Sequence, residues 1–268
     1  MALTGTRTTG TSRTVPSRLR VPERVDWALL GPEFLEQWGR PRGKLMPEHL
    51  SIYGQTGSGK SYFEAWALSE RAAARGSHVV ALVTKPADST MAGMGWPVVE
   101  RWPPGYGKPQ VIYWAKAPGK PGNPEGIRKQ RASVAHLLDS LWQPDANIIL
   151  SFDELAYVVE DLRLRSTVTR YYREARALGI TIVATTQRPA GVVRQMHSEA
   201  GWKVVFAPED EEDARRMAEV LGNRRHYIDV LMDLDRERFE FLIARKLTSE
   251  AYISHLPPPK RAPDTARR

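Results

Sequence analysis

Short runs of consecutive apolar residues alternate along this chain with stretches whose apolar positions recur every three or four residues. Val79, Val80, Ala81, Leu82 and Val83 form the clearest run. Without a polar position, it has the pattern of a strand buried on both faces of a parallel sheet. The same reading predicts strands at 49–53, 111–114, 147–152, 180–185, 202–206 and 239–244, the last closing the set. Between them the spacing turns helical. Residues 60–75 offer Phe63, Trp66, Ala67 and Ala74 to one face and stop at Gly76. Residues 127–142 gather Val134, Leu137, Leu138 and Leu141, 167–178 run up to Gly179, and 209–221 stop at Gly222 and Asn223.

Upstream, Trp27, Leu30, Phe34, Leu35 and Trp38 predict one or two short helices over 25–38, with a break at Gly31-Pro32 and Pro32 at a helix start. Residues 85–126, dense in Pro, Gly and Trp, predict an irregular insertion containing one strand, 111–114. Alternating strands and helices give an α/β fold with a mostly parallel central sheet flanked by helices. A single domain over 25–256 is expected, between a flexible basic arm at 1–24 and a disordered basic tail at 257–268.

Parallel sheets bind ligands at the carboxyl ends of their strands. Three polar clusters fall there: residues 54–61, Asp153-Glu154 and Gln187-Arg188. The first reads Gly54, Gln55, Thr56, Gly57, Ser58, Gly59, Lys60, Ser61, which satisfies the phosphate-loop pattern G-x-x-x-x-G-K-[ST] in full. Its glycines allow successive backbone N–H groups to turn inward around phosphate oxygens. Lys60 brings a point charge to the β- and γ-phosphates, the Ser61 hydroxyl can ligate Mg²⁺, and the helix opening at Lys60 aims its positive end at the same anion. The loop by itself implies a nucleoside triphosphate and Mg²⁺; together with the motifs that follow it, the predicted fold is a P-loop NTPase of the RecA-like, ASCE type, with ATP and Mg²⁺ as cofactors.

Asp153 ends an apolar run, as the acidic motif of P-loop ATPases does, where its carboxylate would hold Mg²⁺. Glu154 can act as general base on the attacking water. The alternative is that the pair caps the next helix. Gln187 ends a strand expected beside the one carrying Asp153, where its amide can sense the γ-phosphate; otherwise it is a turn residue ahead of Pro189. Arg173 and Arg176 sit near a helix end, either supplying a neighbouring subunit's site with the cation it lacks or complementing the helix dipole.

Composition changes this picture little. A net charge of +8 favours an anionic partner, nucleic acid first. Much of the excess sits at the ends, in Arg7, Arg13, Arg18, Arg20, Lys260, Arg261, Arg267 and Arg268, so charge decides nothing alone. The absence of cysteine excludes disulfides and thiolate metal sites and fits a reducing cytoplasm. No apolar run approaches the ~20 residues of a membrane-spanning helix, and the N-terminus lacks a secretory apolar core.

These residues resemble the FtsK/HerA superfamily of DNA-translocating ATPases. The segment from Pro47 to Ser61 is similar to its nucleotide-binding segment. Arg173-Glu174-Ala175-Arg176-Ala177-Leu178-Gly179-Ile180, running to Ala184-Thr185-Thr186-Gln187-Arg188-Pro189, resembles its helix, strand and terminal "TQRP". Val204-Val205-Phe206 and Asp213-Ala214-Arg215 resemble its last strand and next helix start. The likeness covers roughly residues 47–222. It implies a homo-oligomeric ring, a pentamer or hexamer, that moves double-stranded DNA through its pore by hydrolysing ATP. By the same resemblance Lys60 and Ser61 bind nucleotide and Mg²⁺, Asp153 and Glu154 form the metal and water pair, and Gln187 is the sensor. Arg176 matches the arginine acting in trans, with Arg173 in reserve, and Arg188 and Arg215 match positions facing DNA.

The chain departs from the pattern in one place: residues 209–213 are acidic where FtsK-type motors carry a basic DNA contact. Its compact size, with no anchor or winged-helix domain, is closer to phage DNA-packaging ATPases or mobile-element translocases. A portal or transfer-channel partner would follow, and the host cytoplasm if the protein is viral. Lys116, Lys120, Arg163 and Arg165 are further loop cations available to phosphates. Two other readings stand beside this one. A small-molecule kinase of the P-loop type is disfavoured by Asp153-Glu154 and Gln187. A non-motor ATP-dependent switch is disfavoured by an intact Lys60, Glu154 and arginine set.

Overall fold

The computed structural model describes residues 21–39, 48–104, 109–120, 122–187, 189–222, 225–246 and 250–257. β1 (Glu23–Arg24) leads into α1 (Trp27–Phe34), which widens into a π-helical turn at Leu35–Gly39. Next come β2 (His49–Tyr53), α2 (Lys60–Arg75), β3 (His78–Val83), α3 (Ser89–Ala92), β4 (Val98–Val99) and β5 (Gln110–Trp114). After α4 (Pro124–Leu141), β6 (Ile148–Phe152), α5 (Leu155–Glu160) and α6 (Arg165–Glu174), a 3-10 turn at Ala175–Leu178 enters β7 (Ile180–Thr186). Then follow α7 (Arg194–Glu199), β8 (Ala200–Phe206), α8 (Glu211–Val220), α9 (His226–Met232), β9 (Phe241–Arg245) and β10 (Ala251–Ser254).

The ten strands of the described residues join one sheet in the order β1-β10-β9-β8-β2-β7-β6-β3-β5-β4. From β8 to β4 every pairing is parallel, and β9 runs antiparallel between β8 and β10. Alternate residues serve opposite faces, as the pleat requires. Val80 and Leu82 of β3 pack into the core shared with α4, α5, α6, α8 and α9, whereas Val79, Ala81 and Val83 face the core under α1, α2 and α3. The helices on both faces explain why Val79 to Val83 of β3 read as an unbroken apolar run, and why the polar residues Ser51 of β2, Ser151 of β6 and Thr181 of β7 are buried as well.

Four expectations need correction. The first helix does not break at Gly31-Pro32; α1 runs through it, capped by Asp26, whose side chain accepts from Ala28 N at 2.8 Å. Pro32 forfeits one helical hydrogen bond, but Trp27, Leu30, Phe34 and Trp38 are buried by the continuous path. Trp27 and Trp66 meet edge to face with centroids 5.0 Å apart. Second, the 85–126 segment holds β4 as well as β5, and Val99 is buried there. Third, 239–244 is not the last strand. β9 begins at Phe241, because Phe239 takes φ +54 and ends the turn before it, and β10 follows. Glu23 and Arg24, assigned to the arm by sequence, pair with Tyr252 and Ile253.

Candidate active site

The loop between β2 and α2 has its predicted bounds, with α2 opening at Lys60. Two glycines are demanded by space. A Cβ on Gly54 would lie 2.7 Å from Ser58 Oγ and 2.8 Å from Phe206 Cβ, and Gly59 sits at φ +100 with Phe206 3.2 Å from where its Cβ would be. Lys60 is 8% exposed, and its Nζ donates to Gln55 O at 2.7 Å. Burial lowers its pKa to about 8 against the pull of Glu154 and Asp153. The N-terminus of α2, Lys60 and an inward-turned loop form a cradle for a polyphosphate.

The acidic pair ends β6, one strand removed: β7 lies between β2 and β6. Pairing sets Tyr53 beside Thr186 and Phe152 beside Ala184, so the loop, Asp153-Glu154 and Gln187 leave the sheet at one edge. Gln187 lines an open cleft of about 610 Å³ together with Lys60 and Ser61. Asp153 is 2% exposed, and its Oδ2 is buried without a hydrogen-bond partner among the described residues. Burial raises the pKa of Asp153 despite Lys85 beside it. Glu154 occupies the cap position of α5, yet its side chain makes no capping bond. It turns toward Thr186, its Oε1 is buried without a partner among the described residues, and burial raises its pKa.

Two residues of the cluster escaped the sequence reading. Lys85, at the carboxyl end of β3, donates from Nζ to Asp153 Oδ1 at 2.9 Å and lies 3.7 Å from Asp88 Oδ2. Burial opposes its charge, but the carboxylates around it outweigh burial and raise its pKa. Its place just past a buried strand was the available signal. Glu64, one turn after Lys60 on α2, is fully buried and accepts from Ser151 Oγ. Burial first, then Asp153, raise its pKa well above the carboxylate range. A carboxyl between Phe63 and Ala67 on the packing face was the clue to it.

The structure does not bring the arginines to this edge. Arg173 is exposed in the last turn of α6. Arg176, in the 3-10 turn before β7, has a buried Nε without a hydrogen-bond partner among the described residues. It lies close enough to His49 to help burial lower that histidine's pKa to about 3. His49 starts β2 and Tyr53 ends it, a separation of roughly 13 Å at 3.3 Å per residue. Arg176 therefore stands at the opposite edge of the sheet from Lys60. Arg215 is exposed on α8 and ion-paired to Glu211 at 2.6 Å. Arg188 lies outside the described residues. Gln55 Nε2 donates to Asp213 Oδ2 at 2.7 Å, tying the loop to the first turn of α8.

A glycine loop between strand and helix, with an acidic pair two strands away across an inserted strand, defines the P-loop NTPase fold expected from the sequence. Solved structures share it. B204, the DNA-packaging ATPase of Sulfolobus turreted icosahedral virus, superposes with a TM-score of 0.56 at 16% identity, covering 78% of this chain and 97% of B204. The genome-packaging NTPase B204 of Sulfolobus turreted icosahedral virus 2, in complex with AMPPCP, gives 0.54 at 15% identity over 78% and 97%. EssC (ATPases 2 and 3) of Geobacillus thermodenitrificans gives 0.53 at 16% over 78% of this chain and 39% of EssC. No protein-family model matches the chain, and no curated protein matches it in sequence. No described helix is long and apolar enough to cross a membrane.

Proposed function

We propose that the protein is an ATPase that drives double-stranded DNA through a ring of its own copies, in viral genome packaging or mobile-element DNA transfer. The observation that carries this reading is the division of the site. Lys60, Ser61, Asp153, Glu154 and Gln187 converge on one sheet edge, while Arg176, the arginine that matches the family's trans-acting residue, stands at the other. On this view Arg176 serves a neighbouring copy, while Lys60 and Lys85 are the cations that the described residues bring to its own site. The fold shared with B204 supports the DNA-packaging assignment.

In this reading the inward loop and Lys60 hold the β- and γ-phosphates. The Ser61 hydroxyl and Asp153, whose Oδ2 is buried without a partner among the described residues, would hold Mg²⁺, which would supply positive charge against the phosphate oxygens. Glu154 takes a proton from the attacking water as its oxygen bonds to the γ-phosphorus and ADP departs. Gln187, leaving the strand between the loop and Asp153, orients that water and registers whether the γ-phosphate is present. Arg176 of an adjacent copy stabilises the transition-state charge, with Arg173 in reserve. Arg188 and Arg215 contact DNA phosphates, which position without reading sequence. The Gln55 to Asp213 bond connects the nucleotide loop to the helix bearing Arg215.

ATP hydrolysis by the purified chain, with and without long double-stranded DNA, tests this alongside its mass in solution. Stimulation by DNA and a ring-sized mass are expected, with turnover abolished in Lys60→Ala. A monomer under all conditions whose hydrolysis ignores DNA would sink the motor.

A further inference from the structure

Three clefts open around Phe239. One is the phosphate cleft, and a second, of about 190 Å³, runs beside residues 55–58. The third, of about 530 Å³, is walled by Gly59, Tyr62, Phe206, Phe241 and Leu256, with Arg238 and His255 at its rim. Phe239 is 51% exposed and held at φ +54, a backbone region that bulky side chains rarely occupy. The turn that holds it is fastened. Asp235 Oδ1 accepts from the N–H groups of Glu237 and Arg238. Asp235 N donates to the Glu240 carboxylate, which also takes the Arg24 guanidinium. Core packing does not call for a strained, exposed ring. A ligand that covers it does.

We propose that this third pocket is the nucleobase subsite of the nucleotide site, with Phe239 as its stacking platform. The inference rests on the ATPase reading. Its occupant follows from continuity: Gly59, Tyr62 and Phe239 line both this pocket and the phosphate cleft. A Cβ on Gly59 would lie 3.5 Å from Phe239, so that glycine admits the ring beside the phosphate loop. Tyr62 follows Ser61 directly, and its hydroxyl donates to Pro257 O at 3.0 Å, which makes residues 255–257 the outer wall. The charged and imidazole side chains lining it, Glu237, Arg238 and His255, are exposed or half-buried, and Arg238 is 3.3 Å from His255 Nε2. Among the described residues lining the pocket, no buried polar side-chain atom is left unpartnered for a base edge. The base is therefore held by its face. Stacking tolerates any base, whereas hydrogen-bonded edge reading rejects the wrong partner by about 10⁴-fold. Adenine and guanine nucleotides should bind alike.

Calorimetric titration of the full chain with ATP, GTP and inorganic tripolyphosphate tests this. Phe239→Ala should weaken ATP and GTP about tenfold while tripolyphosphate changes by less than about twofold. Phe239→Tyr should restore affinity, and wild-type affinities for ATP and GTP should agree within about tenfold. If Phe239→Ala weakens all three ligands equally, the ring only shapes the loop; if it leaves ATP binding unchanged, the base lies elsewhere. Either result overturns the inference, as does rejection of GTP by about a hundredfold or more. A wild-type chain that binds neither ATP nor tripolyphosphate overturns the ATPase reading itself.

Discussion

Lys85 reaches Asp153 at 2.9 Å and binds a carboxylate that is 2% exposed, with Glu64, Asp88 and Glu154 around it and Lys60 acting more weakly. Removing Lys85 leaves the buried acid the weaker pull of Lys60. Because the Lys85 side chain is 34% exposed, solvent screens part of the effect, and Lys85→Met should cost about 1–2 kcal/mol. Asp153→Asn in the same chain should recover part of the loss. Urea unfolding of both single variants and the double variant should give a coupling of about 1 kcal/mol; none within error would mean the pair is incidental.

Lys60 gives the site a pH dependence. Its pKa in the free protein is lowered to about 8, and a bound polyphosphate raises it, so binding takes up a proton between those two values. Affinity for ATP is full below about pH 8 and falls as pH rises above it, by up to about tenfold per unit. Titrations from pH 7 to 9.5 in buffers of different ionisation enthalpy read both the slope and the proton. A flat profile would place the phosphate contact elsewhere.

Glu154 separates binding from chemistry. Glu154→Gln keeps the shape but cannot accept the water's proton, so turnover should fall about a hundred- to ten-thousandfold. ATP binding should persist, slightly tightened by loss of a negative charge near the phosphates. Single-turnover rates that match wild type would assign the base to another group.

Arg176 is tested by mixing. Arg176→Ala should bind ATP normally and turn over slowly. Combined with Lys60→Ala subunits, it should regain part of the wild-type rate, because each variant lacks what the other provides. Absence of rescue would point to Arg173, or to a structural role for Arg176 beside His49.

How much of this was legible follows from the range of the forces involved. The phosphate loop can be read because Gly54, Gly59, Lys60 and Ser61 each meet a requirement set within a few residues. β3 can be read because burial on both faces leaves Val79 to Val83 without a polar position, and β2, β6 and β7 because apolar residues hold most of their positions. α1 could not, since its path through Pro32 is decided by Trp66 and Phe241, which are distant in sequence. β10 is half-buried and acquires its meaning only beside β9. Lys85 and Glu64 were missed for the same reason: a single charged residue becomes part of a site only when folding sets another against it. Phe239 looked like a strand residue, and nothing local announced its positive φ.

β1 pairs with β10, and Tyr62 holds Pro257, so the described chain starts and stops at one rim of the sheet. Strands drawn from both ends of the described chain thus close one edge of the sheet, so β9 is covered by a strand from the end of the described chain and that strand by one from its beginning.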